Sequence, residues 1–148
     1  MSKILDKINT ELVVAMKAKN AVCVSTLRML VSAIKNKQIE LGKELGDDEV
    51  VEVIFKNAKQ HKESIAAYES AGRQDLADRE KLELKILEKY LPDQMSEEEI
   101  TKVVVEVISQ TGALGVADMG KVIGAVMAKV KGRVDGNTVS KIVREKLT

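Results

Sequence analysis

The sequence predicts an all-α protein, with an N-terminal antiparallel helical bundle over residues 1–92 and a small three-helix C-terminal domain over 96–148. Three observations predict it. Apolar residues recur with a 3.6-residue period in every long segment, the pattern of amphipathic helices. Gly, Asp and Ser break that period at intervals that suit short links between antiparallel neighbours. Pro92, the one proline, stands where the composition changes, and six of the nine glycines lie after position 111.

Ile4, Leu5, Ile8, Leu12 and Met16 mark a first helix. Leu27, Leu30, Val31, Ile34 and Leu41 mark a second, which ends near Gly42 to Gly46. Asp47 and Asp48 then offer an N-cap and place acids in a first turn, where the helix dipole favours them. The third helix carries Val50, Val53, Ile54, Ala58, Ile65 and Tyr68, and stops near Gly72. A fourth runs from about Asp75 through Leu84, Leu87 and Leu91, and Pro92 forbids its continuation.

Beyond the proline, Ser96 and Glu99 fit a capping box, followed by the stripe Ile100, Val103, Val104, Val107 and Ile108. The β-branched run Val103 to Val105 suits a strand, but the cap and the 3–4 spacing outweigh it. Gly112 to Gly115 reads as a loop. Asp118 can cap a sixth helix bearing Met119, Val122, Ile123, Val126, Met127 and Val130, which Gly132 ends. After a turn over Arg133 to Gly136, Asn137 or Thr138 starts a last helix with Val139, Ile142, Val143 and Leu147. Three helices in this short span make a marginal core.

Composition narrows the function. Of 148 residues, 45% are apolar and 32% charged, enough to build a core and unlike a disordered tail. The net charge of +1 excludes a globally basic nucleic-acid binder, though not a local patch. Phe55, Tyr68 and Tyr90 are the only aromatics, too few to read single-stranded bases by stacking. One cysteine, Cys23, and one histidine exclude a His/Cys zinc site. No apolar run spans a membrane, and the charge-mixed N-terminus shows no secretion signal, so the expected location is cytoplasmic. The last 37 residues hold seven bases against three acids, the one basic concentration in the chain.

Few residues suggest chemistry. His61 falls on or beside an apolar stripe and reads as a packing residue or a helix–helix hydrogen-bond donor. Cys23 lies between two valines and reads as a small buried group. Glu80 and Glu83, one turn apart, could hold a divalent cation or act as acid and base, but such a pair is more often a solvated face, here with Arg79 one turn from Glu83. No GxSxG, HExxH, P-loop or CxxC is present. The expectation is no catalytic residue, no cofactor and no metal.

The most informative stretch is DMGKVIGAVMAKVKGRVDG, Asp118 to Gly136. Gly120 and Gly124 lie one turn apart within a predicted helix, and Ala128 continues the row. Each internal glycine costs about 1 kcal/mol relative to Ala. Close packing against another helix is one explanation. The other is a smooth face that meets a sugar-phosphate backbone, with Lys121, Lys129, Lys131 and Arg133 around it to contact phosphates.

This stretch, together with AGRQDLADREKLELKILEKYLP upstream, closely resembles the YqeY-like family over essentially the whole chain. The second half, from about Ser96 to Leu147, is also similar to the tail domain of the B subunit of glutamyl/aspartyl-tRNA amidotransferase. The resemblance implies a two-part helical protein linked to tRNA-dependent amidation, since that tail helps to hold the tRNA body. The positions that carry over are Gly120, Lys121, Gly124, Lys131, Gly132, Arg133, Asp135 and Gly136. The family pattern commonly has a base after the Asp-Gly pair, where this chain has Asn137.

The expected function is an accessory module without a catalytic site of its own. It contacts the tRNA backbone through Gly120, Lys121, Gly124, Lys129, Lys131, Gly132, Arg133 and Gly136, beside an amidotransferase or aminoacyl-tRNA synthetase component. Two alternatives stand: a helical protein–protein interaction module, and a carbon–nitrogen ligase using glutamine as amide donor. The ligase alternative rests on resemblance alone, because the amidating residues of that enzyme lie in larger portions this chain lacks.

Overall fold

A computed structural model of the protein describes residues 2–130 and 133–148. Within them lie seven α-helices: α1 (Lys3–Lys17), α2 (Ala21–Leu41), α3 (Asp47–Ser70), α4 (Gln74–Glu88), α5 (Glu97–Thr111), α6 (Met119–Lys129) and α7 (Gly136–Leu147). A short 3-10 turn, Val116–Asp118, precedes α6, and no strand occurs among the described residues. The protein is all-α. Its internal contacts divide into two compact units, Met1–Leu91 and Pro92–Thr148.

In the first unit α3 and α4 pack along one another, α1 packs on α2, and α2 also touches α3 and α4. The shared apolar stripes bury Ile8, Leu27, Leu30, Ile34, Ile54 and Leu87 in one core. Gly42 ends α2 at φ +68°, a left-handed backbone that glycine adopts without a Cβ penalty. Helix α4 ends at Glu88, before Pro92, so a turn through Lys89 and Tyr90 intervenes.

The cap of α3 differs from the sequence reading. Gly46 is the cap, and its amide donates to the Glu49 carboxylate at 3.4 Å. Asp47 is turned elsewhere: its Oδ1 accepts from the buried Ser2 hydroxyl at 2.5 Å and from the Ile4 amide at 3.2 Å. These bonds hold the Asp47 carboxyl below its ordinary pKa, the Ser2 hydroxyl contributing most. Elsewhere in the unit, the buried Tyr90 hydroxyl donates to Glu11 of α1. Burial, and then that bond to a carboxylate, pushes the Tyr90 hydroxyl well above the usual tyrosine range.

In the second unit α5, α6 and α7 bury Val104, Val107, Val122, Val126, Val139 and Val143. Ser96 caps α5 by accepting from the Glu99 amide at 3.2 Å, and the valine run lies inside that helix. Asp118 precedes α6 but makes no side-chain cap bond there; its Oδ2 accepts from the Leu114 amide at 3.2 Å instead. Asp135, and not Asn137 or Thr138, caps α7 by accepting from the Asn137 amide at 3.0 Å. The predicted helix stop at Gly132 lies outside the described residues.

Candidate functional site

Helix α6 buries Val122 and Val126 completely, and the 3.6-residue period turns Gly120, Gly124 and Ala128 outward on the other side. All three are exposed, as is Lys121 beside them. A Cβ built at Gly120 or Gly124 would meet nothing within 4 Å among the described residues. Close helix packing among the described residues of this unit therefore does not account for either glycine. The row is a smooth strip of helix backbone at the surface.

The cations predicted around this strip divide by what they touch. Lys129 leans toward α5, its Nζ 3.5 Å from a Glu106 oxygen and 3.2 Å from the Gln110 amide oxygen. Both partners of that ion pair are well exposed, so water screens it and it holds the lysine weakly. Arg133 is half-buried, and its Nε donates to the Asp93 carbonyl at 2.8 Å. The Arg133 carbonyl in turn accepts from the Met95 amide at 3.1 Å, so this residue also fixes the strap leading into α5. Lys131 and Gly132 lie outside the described residues.

At the start of α7, Gly136 is half-buried as the first helical residue. The Asp135 carboxylate already accepts an amide there, so this helix start carries a negative group of its own. The structure thus brings Gly120, Lys121 and Gly124 together on one face and gives Arg133 and Asp135 structural bonds. The sequence reading passed over exposed Lys141, Arg144 and Lys146 on α7. Lys141 and Arg144 were legible as the face opposite Val139, Ile142 and Val143, while Lys146 stands in the last turn of the helix.

A second cluster lies in the first unit. His61 of α3 and Glu80 and Glu83 of α4 converge, with Nδ1 of His61 2.5 Å from Glu80 Oε2 and 3.6 Å from Glu83 Oε2. The three side chains are 18%, 22% and 12% exposed. Arg79 Nε reaches the other Glu83 oxygen at 3.5 Å. Of the two readings offered for His61, packing residue or interhelical hydrogen-bond donor, the structure has the second, and the ring meets two carboxylates.

Comparison with known proteins identifies the lineage. A family model described as Yqey-like protein matches residues 5–147. The chain belongs to the YqeY-like family. Curated relatives of this YqeY-like chain include two named groups. One is named altered inheritance of mitochondria protein 41, mitochondrial. Its member from Pyrenophora tritici-repentis is 30% identical over 96% of this chain and 80% of its own length. The member from Kluyveromyces lactis is 38% identical over 64% of this chain and 53% of its own length. The other group is the E subunit of glutamyl-tRNA(Gln) amidotransferase. The Thermococcus gammatolerans protein is 30% identical over 80% of this chain, and the match covers 20% of that much longer protein.

These relatives correct the expected location. The first group is mitochondrial by name, which points away from the cytoplasm. The cytoplasmic expectation rested on the charge-mixed first residues and on the lack of an apolar run long enough to cross a membrane, and neither records a compartment.

Proposed function

We propose that this YqeY-like chain is an accessory module that contacts the tRNA backbone through the exposed face of α6, with no amidating chemistry of its own. The observation that carries the reading is the open strip of Gly120, Gly124 and Ala128 beside exposed Lys121. Two glycines weaken a short helix without easing any packing among the described residues of this unit, which suits a bulky partner that must approach the backbone closely. Similarity to a component of a tRNA amidotransferase supports tRNA as that partner. Lys129 is available to a phosphate because its surface ion pair is weak, and Arg133 retains donors beyond its Nε. Such contacts position a nucleic acid by charge and shape without reading its bases.

Titration of total tRNA against the full chain at low salt tests this reading. Binding should weaken as salt rises, with a log–log slope of about −0.9 per phosphate contact by the duplex rule. Lys121→Ala should lower the slope by about one contact. Replacing Gly120 and Gly124 by Ala should weaken binding while the helix stays folded. No binding at low salt, or full binding by the double Ala variant, would refute the assignment.

One observation favours a second reading, a protein-docking module. Leu114 is 95% exposed and Val116 49% exposed on the segment leading into α6. Capture of a protein partner that survives nuclease treatment and is lost in Leu114→Asp would select that reading over the first.

A further inference from the structure

We propose that His61, Glu80 and Glu83 form a binding site for one divalent transition-metal ion of the Zn2+ class, bridging α3 and α4. The ligand atoms, Nδ1 and one oxygen from each carboxylate, all lie within 4.8 Å of one another. Two helices set this geometry. Glu80 and Glu83 are three apart on α4 and so share a face, and α3 packs along that face with His61 opposite.

A hydrogen bond alone leaves part of the arrangement unexplained. A neutral imidazole offers one proton, and Nδ1–H directed at Glu80 satisfies that pair. Glu83 Oε2, at 3.6 Å, is too far to share the proton, yet it is aimed at the same nitrogen. Two carboxylates shielded from most solvent repel each other, and Arg79 offsets only one charge from the exposed side. A dication at the point of convergence is attracted to both carboxylates and relieves their repulsion.

The distances suit such an ion. In a tetrahedral shell, bonds of about 2.0–2.2 Å to N and O place neighbouring ligand atoms about 3.4 Å apart. The observed 2.5 and 3.6 Å fall on either side of that value, so small opposite rotations of the two Glu side chains admit the ion. A cavity of about 20 Å³, with Thr26, Asn57, His61 and Glu83 in its wall, adjoins the cluster. That is room for one water, which would take a fourth position on the metal. The Arg79 contact to Glu83 supplies the outer hydrogen bond that ligating carboxylates usually have.

One imidazole with two carboxylates selects the class. The nitrogen favours Zn2+, Co2+ or Fe2+ over Mg2+ and Ca2+, which prefer all-oxygen shells. The sequence expectation of no metal rested on the shortage of His and Cys and on reading Glu80 and Glu83 as a solvated face, whereas both are largely buried. That count does not bear on a site in which carboxylates supply most of the ligands.

Chelator-stripped full-length protein, titrated with ZnCl2 by calorimetry and with CoCl2 by visible absorption, tests the site. One Zn2+ per chain should bind, Co2+ should develop the strong bands of a four-coordinate site, and excess Zn2+ should raise the melting temperature. His61→Ala and Glu83→Gln should each weaken binding about 100-fold or more, and Arg79→Ala about 10-fold. Glu80→Gln, nearly isosteric, should show the same loss as Glu83→Gln and serves if another variant fails to fold by circular dichroism. Absence of saturable uptake, or uptake of wild-type strength in the ligand variants, would overturn the proposal and leave an interhelical hydrogen bond.

Discussion

The two units are built from the same secondary structure with different core materials. In Met1–Leu91 only two of the ten residues in the buried cluster are valine, the rest being mainly Leu and Ile. In Pro92–Thr148 eight of ten are valine. Valine is a poorer helix former than leucine by roughly a few tenths of a kcal/mol, because the helix restricts its branched side chain. The second unit also places two glycines inside α6. Its helices therefore depend more on mutual packing than on local preference, while the first unit has both. The difference teaches that the smaller unit is the one nearer the edge of stability.

The largest test of this comparison is truncation of each core. Leu30→Ala in the first unit should cost about 2–5 kcal/mol, and Val126→Ala in the second about 1.5–3 kcal/mol. The smaller loss should have the more drastic effect. Hydrogen exchange should show Val126→Ala opening the amides of Pro92–Thr148 cooperatively, while Leu30→Ala leaves its own unit folded with lowered protection. Equal loss of protection in both units for either variant would show them folding as one body and remove the contrast.

The second test concerns how the first unit ties its ends. Asp47 joins the start of α3 to Ser2 and the start of α1, and its carboxyl is held below the ordinary value. A depressed carboxyl stabilises the fold at pH above its unfolded value, about 3.9, and loses that contribution as pH falls through its folded value. Asp47→Asn should therefore be less stable than the wild type at pH 7 by urea unfolding. The gap should close as pH drops below about 4. A gap that persists unchanged into acid would mean that shape, and not charge, holds this junction.

How much of this was legible in the sequence depends on the range of the interaction. Every helix could be read from its 3.6 period, because Ile54 or Val104 faces the core whatever its partner is. Caps were less legible. Asp47 and Asp118 are good caps by residue type, but one finds Ser2 and the other the Leu114 amide. No local rule weighs such competing partners. The pairing of His61 with Glu80 and Glu83 needs the register of α3 on α4, which a single sequence does not state. The glycines of α6 were visible at once, yet only the folded structure shows that neither is packed against the rest of the described chain.

The smallest effect bears on those glycines. Neither Gly120 nor Gly124 has a positive φ, and an added Cβ meets nothing within 4 Å. Ala at either position should therefore stabilise the second unit by about 0.4–1 kcal/mol, through better helix propensity and a less flexible unfolded chain. The gain should appear as slower exchange of the α6 and α7 amides, with the first unit unchanged. A variant more stable than the natural chain yet poorer at holding tRNA would show that this unit trades stability for close approach. A variant that gains stability and keeps full binding would leave the glycines without a purpose in recognition. A variant that loses stability would show that something in the folded protein does press on this face.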